Sequence, residues 1–397
     1  MDFRDSPAES SFRRRVRTWL QANVPSDPGR REHGEFENLE HRFEELRQWQ
    51  RRLAGAGFVG ITWPPEHGGL GASLMEQAIL NEELTRARAP ELLNLIGVGL
   101  VGPTLIAWGT EAQRQRYLAP ILTAEEIWCQ GFSEPGAGSD LANLRTVARQ
   151  VDSGFLITGQ KVWTSLAQYA DFCLLLARSN REVPRHHGIS ALIVDMRAPG
   201  VTIGPLRQMT GDAEFNEVFF EDVRVPAENL IGRLDQGWRV AITTLMHERA
   251  TIAVLRQARL EITLHKLMAL ARSRTRSGRR AAADPVIRHR LAQLCIENQV
   301  LKCNTYRALA GAADRGDPGP MSSAGKLHWS ELDQRLMELA AEILGPYAQI
   351  PAPGAWAVDE GYWTYLLLRS RASGIRGGTS EILRNVLAER VLGLPRD

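Results

Sequence analysis

GFSEPGAGSDLANLRT, Gly131–Thr146, stands where the chain changes its hydrophobic rhythm. Upstream, from Ser11 to about Leu122, apolar residues recur every three or four positions, as in Phe43, Leu46, Trp49 and Leu53, which is the period of a helix. Downstream the period is two: FLITGQKVW (Phe155–Trp163), FCLLLA (Phe172–Ala177), GISALIVDM (Gly188–Met196) and FNEVFFEDVRV (Phe215–Val225) alternate as strands do, with turn-rich segments between them. The quoted stretch itself is built of small residues. Its backbone N–H groups, with the Ser133 and Ser139 hydroxyls, form a concavity suited to a ring carbonyl or a pyrophosphate. A plain surface turn uses the same Pro-Gly and Ser-Asp pairs, so the stretch alone leaves both readings open.

A third rhythm follows. From Trp238 to Ser273 neither glycine nor proline occurs, which permits a helix of up to about 50 Å at 1.5 Å per residue. Two more long helical patterns, Pro285–Ala313 and Met321–Leu344, are linked by GDPGP, and a last helix is expected from about Thr379 to Leu392. Long helices with short links imply a bundle. In the first part, GFVGITWPPEHGGLGAS (Gly57–Ser73) interrupts the helices with paired prolines and glycines. The expected fold is therefore α+β and multidomain: an N-terminal helical domain (1–122), a central antiparallel, barrel-like β-domain (123–232) and a C-terminal four-helix bundle (233–397). No βαβ alternation and no GxGxxG after a first strand occurs, which argues against a Rossmann domain.

Composition limits the function classes. The 397 residues exceed what one core usually serves. A net charge of +2 gives no argument for nucleic acid or membrane surfaces. Lysine occurs only at Lys161, Lys266, Lys302 and Lys326, so the positive charge is almost all arginine. Cys129, Cys173, Cys295 and Cys303 lack metal-site spacing and read as reduced core residues of a cytoplasmic protein. MDFRDSPAES has no apolar leader region. LLNLIGVGLVGPTLIAW (Leu92–Trp108), broken by glycines and Pro103, falls short of the roughly 20 apolar residues of a membrane span and reads as a buried helix pair.

GIRGGTSEILRN (Gly374–Asn385) is a glycine loop leading into a helix N-terminus, where free N–H groups attract anions. It carries no base at its tip. Together with FSEPGAGSD, ITGQKVWTS (Ile157–Ser165), TWPPEHGG (Thr62–Gly69), EDVRVPAENLIG (Glu221–Gly232) and GGTSEILRNVLAERVLG (Gly377–Gly393), it resembles the acyl-CoA dehydrogenase family in the same order along nearly the whole chain. The resemblance implies FAD as cofactor. Phe132 and Ser133 would hydrogen-bond the flavin ring, Gly138 and Ser139 would lie by the pyrophosphate with Ser139 also meeting substrate, Trp163 would screen one ring face, and Ser165 would sit near N5. Taken without the resemblance, Trp163 reads as a core tryptophan ending a strand.

The resemblance also implies that a second subunit completes the cofactor site, in a homotetramer or dimer. Arg274 in RTRSG matches the family's arginine loop, although a solvated basic loop reads the same way. Glu342 and Gly345 in EILGP match a segment that usually carries Gln and Gly-Gly, so Glu342 and Pro346 are departures. Thr379 and Glu381 match positions that contact the cofactor.

Well-known members place a catalytic glutamate just before Gly-Thr, where this chain has Gly377. The Gly377 N–H would remain as a donor to the thioester carbonyl. Isovaleryl- and long-chain-type members carry the base on the first bundle helix, immediately before an arginine, and TTLMHERATIAVL (Thr243–Leu255) has Glu248-Arg249 there. At 100° per residue, Ala241, Leu245, Ile252 and Leu255 fall within about 60° of Glu248, an apolar stripe that would raise its pKa toward that of a working base. A helix glutamate beside arginine is otherwise a solvated or ion-paired residue. Arg249 either orients substrate or packs on the helix surface.

The expected reaction is α,β-dehydrogenation of an acyl-CoA thioester to the trans-2-enoyl thioester, with electrons passed to an electron-transferring flavoprotein. Two alternatives stand beside it: a non-catalytic, cofactor-completing subunit of a hetero-oligomer, and a flavin enzyme of carrier-protein-bound acyl groups. No metal, nucleic acid or membrane partner is expected.

Overall fold

The computed structural model describes residues 4–25, 39–276, 278–315 and 321–395, and their side chains apart from 247–253, 312–315 and 321. Five helices come first: α1 (Pro7–Asn23), α2 (Leu39–Gly55), α3 (Leu74–Arg86), α4 (Gly102–Trp108) and α5 (Glu111–Thr123). Three of them begin at capping boxes legible in the chain. Ser6, Ser73 and Thr110 each accept from the backbone three residues on, and Glu9, Glu76 and Gln113 reach back to the cap.

Leu92–Trp108 is not a pair of helices. A five-residue π-helical turn, Gly97–Val101, runs without interruption into α4. Two of its glycines, Gly97 and Gly102, serve close approach rather than chain reversal. A Cβ on Gly102 would lie 2.0 Å from Cζ2 of Trp63, an indole buried to 3% exposure.

The strands are β1 (Trp128–Gly131), β2 (Val147–Val151), β3 (Gly154–Ser165), β4 (Phe172–Arg178), β5 (Ile189–Asp195), β6 (Val201–Leu206), β7 (Phe215–Pro226) and β8 (Leu230–Ile231). They form one sheet in the order β6-β7-β3-β2-β4-β5-β8, with β1 added against β4. Two expectations need correction. The sheet is mixed, since β1 and β2 both run parallel to β4. Among the described residues no ladder joins β6 to β8, so the sheet is not closed into a barrel. Both differences trace to short segments, WCQG and VARQV, that are too brief to show a period. β3, β4, β5 and β7 bury Ile157, Leu175, Leu192 and Phe220 in one apolar layer, and β4 and β5, rather than alternating, are buried on both faces.

Two buried amides fasten helices to this sheet. The Asn94 side chain donates to the carbonyls of Ile121 and Glu126 and accepts from the Trp128 N–H, while Gln50 bonds Asn94 N and the Ile121 and Leu122 carbonyls. Leaving any of these groups unpaired in the interior is costly, so the network fixes how α2, α5 and β1 meet.

The last part comprises α6 (Gly237–Ser273), a short hairpin of β9 (Thr275–Arg276) and β10 (Arg279–Arg280), α7 (Pro285–Arg315), α8 (Met321–Leu344), α9 (Tyr362–Ser370) and α10 (Ser380–Arg390). Leu267 of α6, Leu301 of α7, Leu336 of α8 and Trp363 of α9 share one core. The GDPGP link lies outside the described residues. Cys129 and Cys173 are buried, as expected, but Cys295 and Cys303 are only half-buried; all four are free thiols.

By packing, the chain forms two compact units, one of Met1–Glu35, Ser73–Pro90 and Arg249–Asp397, the other of Phe36–Ala72 and Glu91–Glu248. No described helix is long and apolar enough to cross a membrane. Gly102→Ala is expected to destabilise the second unit by about 1–3 kcal/mol through overpacking against Trp63. Thermal unfolding checks this, and an unchanged melting temperature would show that the indole yields freely.

Candidate active site

In the second unit the Gly131–Thr146 strap is held by one acid and one lysine. Lys161 of β3, fully buried, donates to the Phe132 carbonyl at 2.9 Å and to Glu134 Oε1 at 2.8 Å. The other end of the strap closes on the same carboxylate, because the Arg145 and Thr146 N–H groups donate to it at 2.6 and 2.9 Å. Glu134 and Ala137 exchange backbone hydrogen bonds, which turns EPGA back on itself. Burial pulls the Lys161 ammonium down to about 8 against the pull of the Glu134 charge. For Glu134, burial pushes the carboxyl up, and the lysine charge with the three donors outweighs it, leaving the carboxyl below its ordinary value. At neutral pH the pair is ionised.

The strap is joined to a bulge. The Val162 N–H donates to the Ser133 carbonyl at 2.9 Å. Between Lys161 and Thr164, β3 carries one residue more than β7 opposite, and there Trp163 takes φ 60°. A bulky residue in the left-handed region is strained, and bulges beside functional sites re-aim side chains. The result is an indole 60% exposed, supported edge-on by Phe215 at 5.9 Å. Phe132 is buried, Ser133 and Ser165 are half-buried, and Gly138 and Ser139 are exposed on the strap. A flat apolar face held open between hydroxyls and a glycine strap fits a ring system with a polar edge.

In the other unit the loop before α10 is equally constrained. Gly377 and Gly378 take φ 65° and 95°, values that favour glycine. Lys326 of α8 donates to the Gly378 carbonyl at 2.7 Å, and the Thr379 hydroxyl caps α10 by accepting from the Ile382 N–H. Just upstream, the Ser373 hydroxyl donates to Asp333 at 2.7 Å. Burial pushes the Asp333 carboxyl up in spite of Ser373, Arg376, Arg371 and Arg256. Arg256 lies over the buried Trp329 at 4.3 Å.

The remaining expected positions lie on α6, α8 and α10 and the loops beside them. Arg274 lies over Tyr347 at 5.9 Å. Glu342 is held by Arg276 at 3.0 Å and by Arg290, and Gly345 takes φ 57°. Glu381 is exposed at the start of α10, with its carboxyl lowered by its own N–H and by Thr379. Glu248 and Arg249 fall within α6, but their side chains lie outside the described residues. Of the residues sharing the Glu248 face, Ala241 is buried and Leu245 and Leu255 are half-buried; Ile252 is outside the description.

Three family models match the chain in order: acyl-CoA dehydrogenase N-terminal domain over residues 6–125, middle domain over 129–223 and C-terminal domain over 235–392. Acyl-CoA dehydrogenase IpdE1 of Mycobacterium tuberculosis is 43% identical over 395 residues, covering 97% of this chain and 98% of the relative. The chain belongs to the acyl-CoA dehydrogenase family. Among solved structures, the Tcur3481-Tcur3483 steroid ACAD superposes with TM-score 0.87 at 31% identity, covering all of both chains. The ChsE4-ChsE5 complex from Mycobacterium tuberculosis superposes with TM-score 0.85 at 30% identity, again over all of both chains. This acyl-CoA dehydrogenase is an FAD-dependent oxidoreductase whose chain runs from helices through a mixed sheet to helices again.

Reading the sequence for motifs missed the groups that hold the candidate segments of this acyl-CoA dehydrogenase in place: Glu134 and Lys161 at the strap, Lys326 and Asp333 at the Gly377 loop. Lys161 had a signal, being one of four lysines and standing inside an apolar strand. Replacing it with methionine strands a buried carboxylate and is expected to cost about 3–5 kcal/mol, part of which Glu134→Gln recovers in the double variant. Because the folded Glu134 carboxyl lies below its ordinary 4.5, its contribution is complete above that pH and is lost as pH falls through the folded value. Urea unfolding at pH 7 and at pH 4 checks both statements, the deficit of Lys161→Met shrinking in acid.

Proposed function

We propose that Glu248 is the base of this dehydrogenase and that the Gly377 N–H is the donor to the thioester carbonyl. The observation that carries the reading is at Gly377, where a residue without a side chain, at φ 65°, occupies the position of the family's usual glutamate. A carboxylate on α6 then takes the α-proton. As that proton leaves, negative charge grows on the thioester oxygen, and a backbone N–H aimed at it stabilises the transition state more than the ground state. FAD, when bound, accepts the β-hydride. Trp163, Phe132, Ser133 and Ser165 would seat its ring, and Gly138 and Ser139 its phosphates. Arg274, Glu342, Gly345, Thr379 and Glu381 would complete the site from a second chain, in a homotetramer or dimer. Ser139 and Arg249 would also meet the substrate.

The product is the trans-2-enoyl thioester, and an electron-transferring flavoprotein takes the electrons. A large polycyclic acyl group is supported by the likeness to a steroid enzyme, and a base on α6 suits a bulky substrate approached from that side. The three-part division 1–122, 123–232 and 233–397 and a cytoplasmic location go with this reading.

A second reading is favoured by Glu342. An acid there engages Arg276 and Arg290, charges that a partner's anionic cofactor would otherwise meet. Relatives solved as complexes of two different chains support a hetero-oligomer in which each chain completes only some of the sites.

Glu248→Gln is expected to lower kcat by about 10²–10⁴ with FAD retained. Asp333→Asn, which removes the described buried acid beside the Gly377 loop, is expected to change kcat by no more than a few-fold. Anaerobic flavin bleaching with a panel of thioesters reads both. Full bleaching rates in Glu248→Gln, or their loss in a stable, FAD-loaded Asp333→Asn, would move the base to α8.

A further inference from the structure

Two consecutive residues of β3 hold the two carbonyls that flank Ser133. The Lys161 ammonium donates to the Phe132 carbonyl at 2.9 Å, and the Val162 N–H donates to the Ser133 carbonyl at 2.9 Å. Lys161 and Phe132 are both buried, so the first of these bonds lies in the interior. A trans peptide points its carbonyl and its N–H to opposite sides, and the Phe132–Ser133 peptide is trans. With the carbonyl turned inward to Lys161, the Ser133 N–H faces away from the lysine. Ser133 is half-buried, and among the described residues its N–H donates to no acceptor. An ammonium bound to a carbonyl oxygen draws electron density along the peptide and leaves the N–H on the far side a stronger donor. Glu134 lies against the same ammonium at 2.8 Å, which cancels its charge at a distance. What the lysine transmits is therefore the short-range polarisation of one peptide.

We infer that Lys161 is a positioning residue of the redox step: through the Phe132–Ser133 peptide it aims and strengthens the Ser133 N–H as a donor to the flavin ring, and so raises the potential at which the bound cofactor takes up electrons. The inference rests on the seating of FAD at Phe132 and Ser133 proposed above, and it adds a role for a side chain that acts from behind the strap. Hydride transfer from the substrate's β-carbon places two electrons and one proton on the ring, while the α-proton leaves to the base. The ring then carries one negative charge more than before. An N–H whose direction is already fixed at the polar edge of the ring binds this electron-rich form more tightly than the oxidised form. That preference is the potential: a tenfold tighter hold on the reduced ring corresponds to about 30 mV for a two-electron couple.

The test is the midpoint potential of the bound flavin, read by anaerobic equilibration of the FAD-loaded protein with indicator dyes and without any thioester. Lys161→Met/Glu134→Gln removes the ammonium without stranding a carboxylate. In it the reduced ring is expected to be held about tenfold less tightly relative to the oxidised ring, a fall of about 30 mV. Ser133→Pro deletes the N–H and leaves the ion pair, and measured against Ser133→Ala its potential is expected to fall by the same amount. Combining the two sets is expected to lower the potential no further than either alone, since both act on one donor. An unchanged potential in FAD-loaded Lys161→Met/Glu134→Gln overturns the inference, because a merely structural lysine would alter stability and FAD retention but not the balance between redox forms. Falls that add overturn it too, since the charge would then act on the ring directly. Should the double variant fold poorly, the Ser133 pair decides, and equal potentials in Ser133→Pro and Ser133→Ala overturn the inference. Failure of the dehydrogenase reading shows separately, as a flavin whose potential shifts as expected yet is bleached by no thioester.

Discussion

A single buried ion pair, Lys161 with Glu134, organises the face of the sheet that carries the exposed Trp163. The pair lies in the interior and its hydrogen bonds run to the strap, so the strap cannot shift without leaving a charge unpaired in apolar surroundings. Buried ion pairs add little net stability, and their value here is register. The lysine sets where the strap crosses β3, and the next residues, Val162 and Trp163, form the bulge. Strain at Trp163 is thus offset by the hydrogen bonds on either side of it, and the exposed indole is a consequence of a constraint made two residues earlier.

The loop before α10 uses a related device with different parts. Lys326 holds the Gly378 carbonyl, Ser373 holds Asp333, and Thr379 caps the helix, so two glycines at positive φ are fixed from both sides. Rigidity matters there because the chemistry assigned to Gly377 is that of a backbone N–H. A donor of that kind works only if its direction is set before the substrate's charge develops. With no side chain at Gly377, the proposed role of this position is carried by its backbone N–H alone, and the proposed base is on α6.

Electrostatics divides the arginines into two groups with different fates. Arg276 and Arg290 are neutralised by Glu342, whereas of Arg145, Arg178, Arg181 and Arg185, which line one cavity beside the strap, Arg185 pairs with the exposed Asp140 and Arg178 feels the charge of the buried Glu134. In a chain of net charge +2 the positive charge is not general, and its concentration beside a glycine strap is a local property of the fold.

Much of the architecture was legible in order along the chain. An unbroken run from Trp238 to Ser273 and alternation in Phe155–Trp163 and Phe215–Val225 are local signals, and local hydrogen bonding and one-sided burial follow from them directly. Family membership was legible too, because the resembling motifs follow one another in the same order along the chain. What the sequence did not determine depends on partners distant in the chain. The parallel pairing of β1 and β2 with β4, the continuous π-turn at Gly97–Val101, the Lys161–Glu134 bond across 27 residues and the meeting of Arg145 with Arg181 and Arg185 were decided only by the tertiary structure. Periodicity reports which face of an element is buried, but the identity of the group waiting on the other side is fixed only when the chain has closed on itself.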